Sequence, residues 1–346
     1  MLATVEPRRA WQLALGCWLP FAACAVVDRL VGVQVEPVMR DLGTHARMLL
    51  AIPLYVLGER LLRQRIGEVL LRLGREELVG DLRRLERLAG GVERFVGGRV
   101  VTIGLAAIGI SAGQAQFWWH DRAYGPASVW YAWLAFPVFA FFGLRYCLRW
   151  LMWIWAAWQL ARMRLRTAPL HPDRAGGIGF VGLPIAGLLP LVLGSTAVAA
   201  AHWASLIHHG GATLLKLREP VAMGLAVACV AAVVPYLAFA GVLLRTRRRG
   251  LRQYEHLALT YVRRFSTRWI DEEPGPELLG TSDIQSLNDL GGAYEVVRRI
   301  RLVPFDPLVL VSVAAAVVVP FVPVLLMAVP LSTLLVRAAR SVIGGG

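Results

Sequence analysis

The run His171-Pro172-Asp173-Arg174-Ala175-Gly176-Gly177 sets an imidazole two residues from a carboxylate, with a guanidinium beside them. Such a set can move a proton between His171 and Asp173, ligate a metal ion, or hold an anionic group at Arg174. The plainer account is a capped turn. Pro172 biases His171 away from helix, the glycines allow a tight reversal, and Asp173 accepts backbone N–H bonds and pairs with a cytosolic arginine. Arg145 and Arg149, one helical turn apart, form a second candidate set, and with Arg174 they could hold a phosphate or a lipid headgroup. Simple anchoring among inner-leaflet headgroups explains that pair equally well. His202 and His209 are seven residues apart and share a helical face, so with His120 they outline a metal or pH-sensing set. No carboxylate or cysteine spacing accompanies them beyond Asp121, and scattered interfacial histidines are the plainer account. Ser111, Gln114 and Gln116 are polar groups in an apolar run, suited to lining a water-filled path or to bonding between helices. Neither a resident cofactor nor a resident metal is expected.

The elements that position these residues are seven apolar stretches: Trp11–Val27, Met48–Gly58, Val100–Trp119, Ser128–Leu144, Gly179–Ala204, Val221–Leu244 and Pro307–Leu335. A spanning helix needs about 20 predominantly apolar residues to match a hydrocarbon core of roughly 30 Å. The second stretch is short and gains length only through Arg47, Glu59 and Arg60, whose side chains must snorkel. The last exceeds the core thickness, and Pro320, Pro323 and Pro330 are expected to break it. Pro320 and Pro323 are therefore candidates for a bend beside a path, with Gln114 and Gln116 as candidate lining groups. The expected fold is all-α: a polytopic membrane helix bundle of about seven transmembrane helices with cytosolic helical extensions.

Composition agrees: 57% of the 346 residues are hydrophobic and 17% charged. The net charge of +14 has a membrane explanation rather than a nucleic-acid one. If the N-terminus is cytosolic and the chain alternates, 29 of the 37 basic residues fall on the cytosolic side. The tail with Arg337 and Arg340 then falls outside, unless the last stretch turns back at its prolines. Cys17, Cys24, Cys147 and Cys229 lie in or beside apolar stretches and follow no disulfide or zinc spacing. The first stretch follows arginines as a signal peptide does, but lacks a small-residue cleavage site and is read as retained.

The expected organisation is two spans in 1–58, cytosolic amphipathic helices in 59–99 and four spans in 100–244. A cytosolic helical region follows in 245–306, and a proline-broken last span with its tail in 307–346. In 59–99, Leu78, Leu82, Leu85, Ala89, Val92 and Val96 make a seam that fits a folded hairpin or an oligomerising coiled coil. Trp150, Trp153, Trp155 and Trp158 extend the fourth stretch toward the headgroup layer. In 245–306, Tyr254, Leu257, Ala258, Tyr261, Phe265 and Trp269 make one apolar face. Thr281 or Ser282 is expected to cap the next helix, with Gln285 completing a capping box after Ser282. Two such helices cannot form a core alone, so they need the membrane bundle, the 59–99 helices or another subunit.

The turn LHPDRAGGIGFVG at 170–182 and the run LLGTSDIQSLNDLGGAYEVVRRIRLVPFDPLVLVSVAAAVVVPFVPVLLMAVPL at 278–331 carry a resemblance. Together, over about a fifth of the chain, they resemble an uncharacterised family of bacterial multi-pass inner-membrane proteins. The resemblance implies a bacterial inner-membrane location and a shared architecture, and no activity.

Three functions compete. One is a homo-oligomeric channel or passive transporter with a cytosolic gating or assembly layer. A second is a membrane enzyme acting on a lipid or polyprenyl phosphate through His171 and Asp173. The third is a scaffold or sensor that recruits a cytosolic protein through 245–306. The acids Asp28, Glu59, Asp121, Glu219 and Asp306 stop at the ends of the apolar stretches, which argues against ion-coupled pumping. Neither GxxxxGK[ST] nor HExxH occurs, and the balance leans away from an enzyme. Expected partners are membrane lipid, further copies of the chain and a cytosolic protein; nucleic acid is not expected.

Overall fold

A computed structural model describes residues 7–32, 41–119, 125–210, 214–271 and 282–328, and its regular structure among them is helical. Helix α1 (Pro7–Leu30) is followed by the short α2 (Leu42–Ala46), which runs through a wide turn at Arg47–Ala51 into α3 (Ile52–Arg75). Asp41 starts that run by accepting from the Gly43 amide at 3.0 Å. Helix α4 (Leu82–Val96), capped by Asp81 on the Arg84 amide, bends by 40° into α5 (Arg99–Trp119) at Gly97 and Gly98. Helix α6 (Pro126–Trp130) continues through Tyr131–Ala135 into α7 (Phe136–Ala161), each beginning with a proline in its first turn, where a missing N–H costs nothing.

A tight 3₁₀ segment, Gly179–Gly187, leads into α8 (Leu189–Gly210). Helices α9 (Arg218–Leu237) and α10 (Ala240–Ser266) follow, then α11 (Asp283–Arg298). The last described span is α12 (Leu308–Val318), a 3₁₀ turn at Val319–Phe321 and α13 (Val322–Ala328). The 3₁₀ turn at Pro320 interrupts the α-helix without ending the span, because Leu308–Met327 together remain 20 residues of membrane length. Pro323 sits in the first turn of α13, exposed, and Pro330, Arg337 and Arg340 lie outside the described residues.

Five described helices are long and apolar enough to cross a bilayer, or six if the bent pair α4 and α5 counts as one span. The expected count of seven is not reached on this criterion. Met48–Gly58 falls short because Glu59, Arg60, Arg63 and Arg65 follow within two turns. Packing tells more about this segment. Leu42 meets Ser205, Tyr55 meets Ser195, Gly187 lies against Leu62, and Arg72 lies over the Phe180 ring. The α2–α3 run thus lies antiparallel beside the membrane-length Gly179–His208 segment along its whole length.

Glycines bring these helices close. A Cβ on Gly187 would lie 2.6 Å from the Leu62 Cα, and one on Gly58 would lie 2.6 Å from the Pro190 Cβ and meet the Tyr146 hydroxyl. Tyr146 donates to the Gly187 carbonyl, so a buried phenol and a bare backbone share the contact. Trp153, Tyr146, Tyr236 and Phe239 fill the interior. Most of the expected seam faces inward: Leu85 and Val92, joined by Leu88, are buried in the same core as Ile66, Val69 and Leu73 of α3, Val96 is buried, Leu78 and Ala89 are half-buried, and Leu82 is exposed. The seam is thus consumed within the chain, as a folded hairpin requires.

The arginine-rich connections meet at one end. The Arg166 amide donates to the Leu78 carbonyl at 2.8 Å, the Arg301 amide to the Arg174 carbonyl at 2.8 Å, and Gly250 lies against Pro169. At the opposite end the buried Asp28 accepts from the Ala127 amide at 2.9 Å.

Gly187→Ala should lower thermal stability in detergent by about 1–3 kcal/mol, because a methyl there must displace the Leu62 backbone. Gly67→Ala, whose Cβ would meet nothing within 4 Å, should be neutral or gain up to about 1 kcal/mol from helix propensity. Equal effects of the two substitutions would refute close approach at Gly187.

Candidate functional site

The turn at 171–177 is built around Asp173. Its Oδ1 accepts from the Ala175 amide at 2.8 Å and the Gly177 amide at 3.1 Å, and its Oδ2 accepts from the Gly179 amide at 2.9 Å. Arg174, Gly176 and Gly177 take positive φ angles of 53°, 64° and 89°, which curls these amides toward one carboxylate. The His171 Nδ1 lies 2.9 Å from the Asp173 Oδ1. Partial burial pushes the Asp173 carboxyl upward, but the three amides and His171 outweigh it, and the net shift is below the ordinary value of 3.8. Asp173 thus closes the entry into α8, and among the described residues its side-chain partner is His171 rather than the expected arginine. The Arg174 side chain is exposed in this turn, while its carbonyl anchors Arg301.

Arg145 and Arg149 have different partners from those their spacing suggested. The Glu59 Oε1 accepts from both guanidiniums, each through Nε at 3.0 Å. The Arg149 Nη1 then reaches the Glu93 Oε1 at 2.9 Å, and the Glu93 Oε2 lies 3.2 Å from the Arg63 Nη2. The five side chains join α3, α4 and α7 in one network. The Arg149 side chain is only 3% exposed, so its charge has left water and depends on these carboxylates. Among the described residues no hydrogen bond or ion pair joins Arg174 to this network.

Next to the network a cleft of about 560 Å³ opens between α3, α4 and α7. Its walls are mainly apolar, including Ile66, Leu70, Val92 and Trp153, and Arg63, Arg72 and Glu93 stand at its edge. Trp150 and Trp153 are buried while Trp155 and Trp158 are nearly half exposed, so only the second pair suits a headgroup layer.

The other candidates separate. His202 is exposed on α8; His120, Asp121 and the His209 side chain lie outside the described residues. No group of three or more His, Cys, Asp or Glu residues able to hold a metal occurs among the described residues. Gln114 and Gln116 are half-buried on α5. Ser111 completes Gly109-Ile110-Ser111-Ala112-Gly113, which spells the serine-hydrolase pattern G-x-S-x-G. Ser111 is exposed in mid-helix, and Gly109 and Gly113 instead bring α5 against the backbone at Pro137 and Ala132. The pattern acts as small-residue helix packing, without the strand-to-helix elbow a nucleophile needs. Ser282 stands at the start of α11, but its side chain makes no capping bond, and Thr281 lies outside the described residues. Asp283 joins α10 to α11 instead, accepting from the Trp269 Nε1 at 3.0 Å and pairing with Arg268.

Fold and geometry define a helical bundle of membrane-protein class with a charged layer at one end. No family model matches the chain, and neither a curated protein nor a solved structure does.

Glu59→Gln leaves Arg149 buried with half its compensation and should cost about 3–5 kcal/mol of thermal stability. Glu68→Gln, which breaks half-exposed pairs with Arg65 and Arg72, should cost less than about 1 kcal/mol. Asp173→Asn should cost about 1–3 kcal/mol at neutral pH. Because the folded pKa of Asp173 is lowered, its contribution is complete above the ordinary carboxylate range. It is lost as pH falls through the lower folded value. Unfolding midpoints measured from pH 7 downward should therefore converge for wild type and Asp173→Asn; curves that stay parallel would contradict this role.

Proposed function

We propose that the chain is a multi-pass subunit of a homo-oligomeric membrane assembly, acting as a channel or passive transporter in which passage runs between subunits. The observation that carries the reading is the incomplete packing of the α10–α11 hairpin. Along α10, Tyr254, Ala258, Tyr261 and Phe265 are half-buried toward α11, and no residue beyond Gly250 in this helix is fully buried. Leu257, Leu259, Val262 and Ile270 are 45–69% exposed, as is Ile284 on α11. Leu259 and Val262 share one face by helical spacing. Two helices cannot complete a core alone. Among the described residues the α4 seam is already consumed by α3 and α7, so a second copy is the cover this reading assigns.

The filled interior of one subunit favours passage between copies over passage through one. Seven spans belong to this reading, with α2–α3 counted on its packing rather than its apolarity. So do a cytosolic N-terminus and a bacterial inner-membrane location, which rest on arginine distribution and on the resemblance carried by 170–182 and 278–331. The enzyme reading has less support, since the Asp173 carboxylate is committed to three backbone amides. Recruitment of a cytosolic protein through 245–306 would use the same exposed face, and it is the outcome that a monomeric protein would favour.

The test is the mass of the protein in nanodiscs, with ion flux measured in liposomes. The wild type should be oligomeric, and Leu259→Glu with Val262→Glu should shift it to monomers and abolish flux while leaving helicity unchanged. A wild-type monomer, or a charged variant that stays assembled, overturns the reading.

A further inference from the structure

We propose that the junction of α7 with α10 is a binding site for a phosphate group, separate from the Arg145–Arg149 network and independent of oligomeric state. A pocket of about 590 Å³ opens there, and four arginines line it: Arg162 and Arg164 just after α7, and Arg245 and Arg249 one turn apart on α10. No aspartate or glutamate lines it. Its floor is tied by the Thr167 and Thr246 hydroxyls, 2.5 Å apart, with Thr246 donating to the Val242 carbonyl at 3.0 Å. That tie holds the segment after α7 against α10, so the two arginine pairs face one pocket.

Gathering in one pocket, not the lack of a partner, sets this group apart. Arg63, Arg65, Arg72, Arg145, Arg149, Arg268, Arg298, Arg299 and Arg301 all have a carboxylate within 4.0 Å. Among the described residues Arg162, Arg164, Arg245 and Arg249 have none, and their one side-chain hydrogen bond is from the Arg249 Nη2 to the Thr167 carbonyl at 3.4 Å. Among the described residues Arg166, Arg174, Arg247 and Arg248 have no carboxylate within 4.0 Å either. Two ordinary accounts fall short. Arginines collect at helix C-termini because the dipole favours cations there, which fits Arg162 and Arg164 after α7. Arg245 and Arg249 lie within α10, away from its C-terminus, and the dipole does not explain them. The positive-inside bias explains many arginines on one face but not the gathering of four around one carboxylate-free pocket.

Four guanidiniums line this pocket from two elements, and the oxygens of a phosphate group can each accept a charge-assisted bond from such donors. The pocket begins at Ala161, the last residue of a membrane-length helix, with Trp155 and Trp158 exposed one to two turns before it. A lipid phosphate and a soluble phosphate both present this chemistry.

The test uses the full-length protein in neutral detergent, with two probes. Phosphatidylglycerol binding is read by native mass spectrometry, with phosphatidylcholine as control. Inorganic phosphate and pyrophosphate binding is read by calorimetry, with chloride as control. One saturable site is expected for a phosphate-bearing probe. Arg245→Gln with Arg249→Gln should weaken it roughly tenfold or more, and so should Arg162→Gln with Arg164→Gln, whose side chains lie outside any helix. Arg248→Gln, which does not line the pocket, should leave binding unchanged. Saturable phosphatidylglycerol binding that phosphate does not displace identifies a lipid headgroup site, and saturable phosphate or pyrophosphate binding identifies a soluble ligand. Absence of saturable binding for every probe overturns the proposal, and so does unchanged binding in a folded double variant.

Discussion

The pair between Glu59 and the fully enclosed Arg149 is the constraint around which this bundle is organised. Removing a guanidinium from water costs several kcal/mol even after relaxation, and only a close, well-oriented carboxylate offsets it. Glu59 comes from α3 and Arg149 from α7, so the two helices must meet at this height and in this rotation. Glu93 then reaches the same guanidinium and holds α4 across both. Satisfying one buried charge thereby sets the mutual placement of three helices and puts the apolar seam of α4 inside the fold.

Around that point the packing relies on bare backbone. Gly187 against Leu62, Gly58 against Tyr146 and Gly113 against Ala132 let helices approach more closely than any side chain permits. In lipid, association draws on such contacts and on interhelical hydrogen bonds, because apolar burial between helices gains little over contact with lipid tails. The Tyr146 bond to the Gly187 carbonyl and the Tyr55 bond to Ser195 supply the polar part.

Local features were legible in the sequence, and pairings across the chain were not. The Pro-Asp-Gly-Gly composition of 172–177 announced a capped turn because its hydrogen bonds close within seven residues. The prolines of the last span likewise marked a local interruption, seen as the 3₁₀ turn at Val319–Phe321. Arg149 looked like a headgroup anchor because its partner Glu59 lies 90 positions earlier, and nothing local marks which helices are neighbours. Thr167 and Thr246, 79 positions apart, were invisible as a pair for that reason. On α3, Glu59 and Arg63 find partners on other helices, which no local pattern marks, whereas Arg65 and Arg72 pair with Glu68 of the same helix. Gly109 to Gly113 shows the reverse hazard, a catalytic spelling that packing fully explains.

The order of these elements along the chain bears on how the protein is made. Helix α3 leaves the ribosome carrying Glu59, Arg60, Arg63 and Arg65, while the helices that compensate and enclose it, α7 and α8, emerge much later. The residues that pair Glu59 and pack against α3 are therefore made after it. Truncation before Arg149 leaves Glu59 without its enclosed partner.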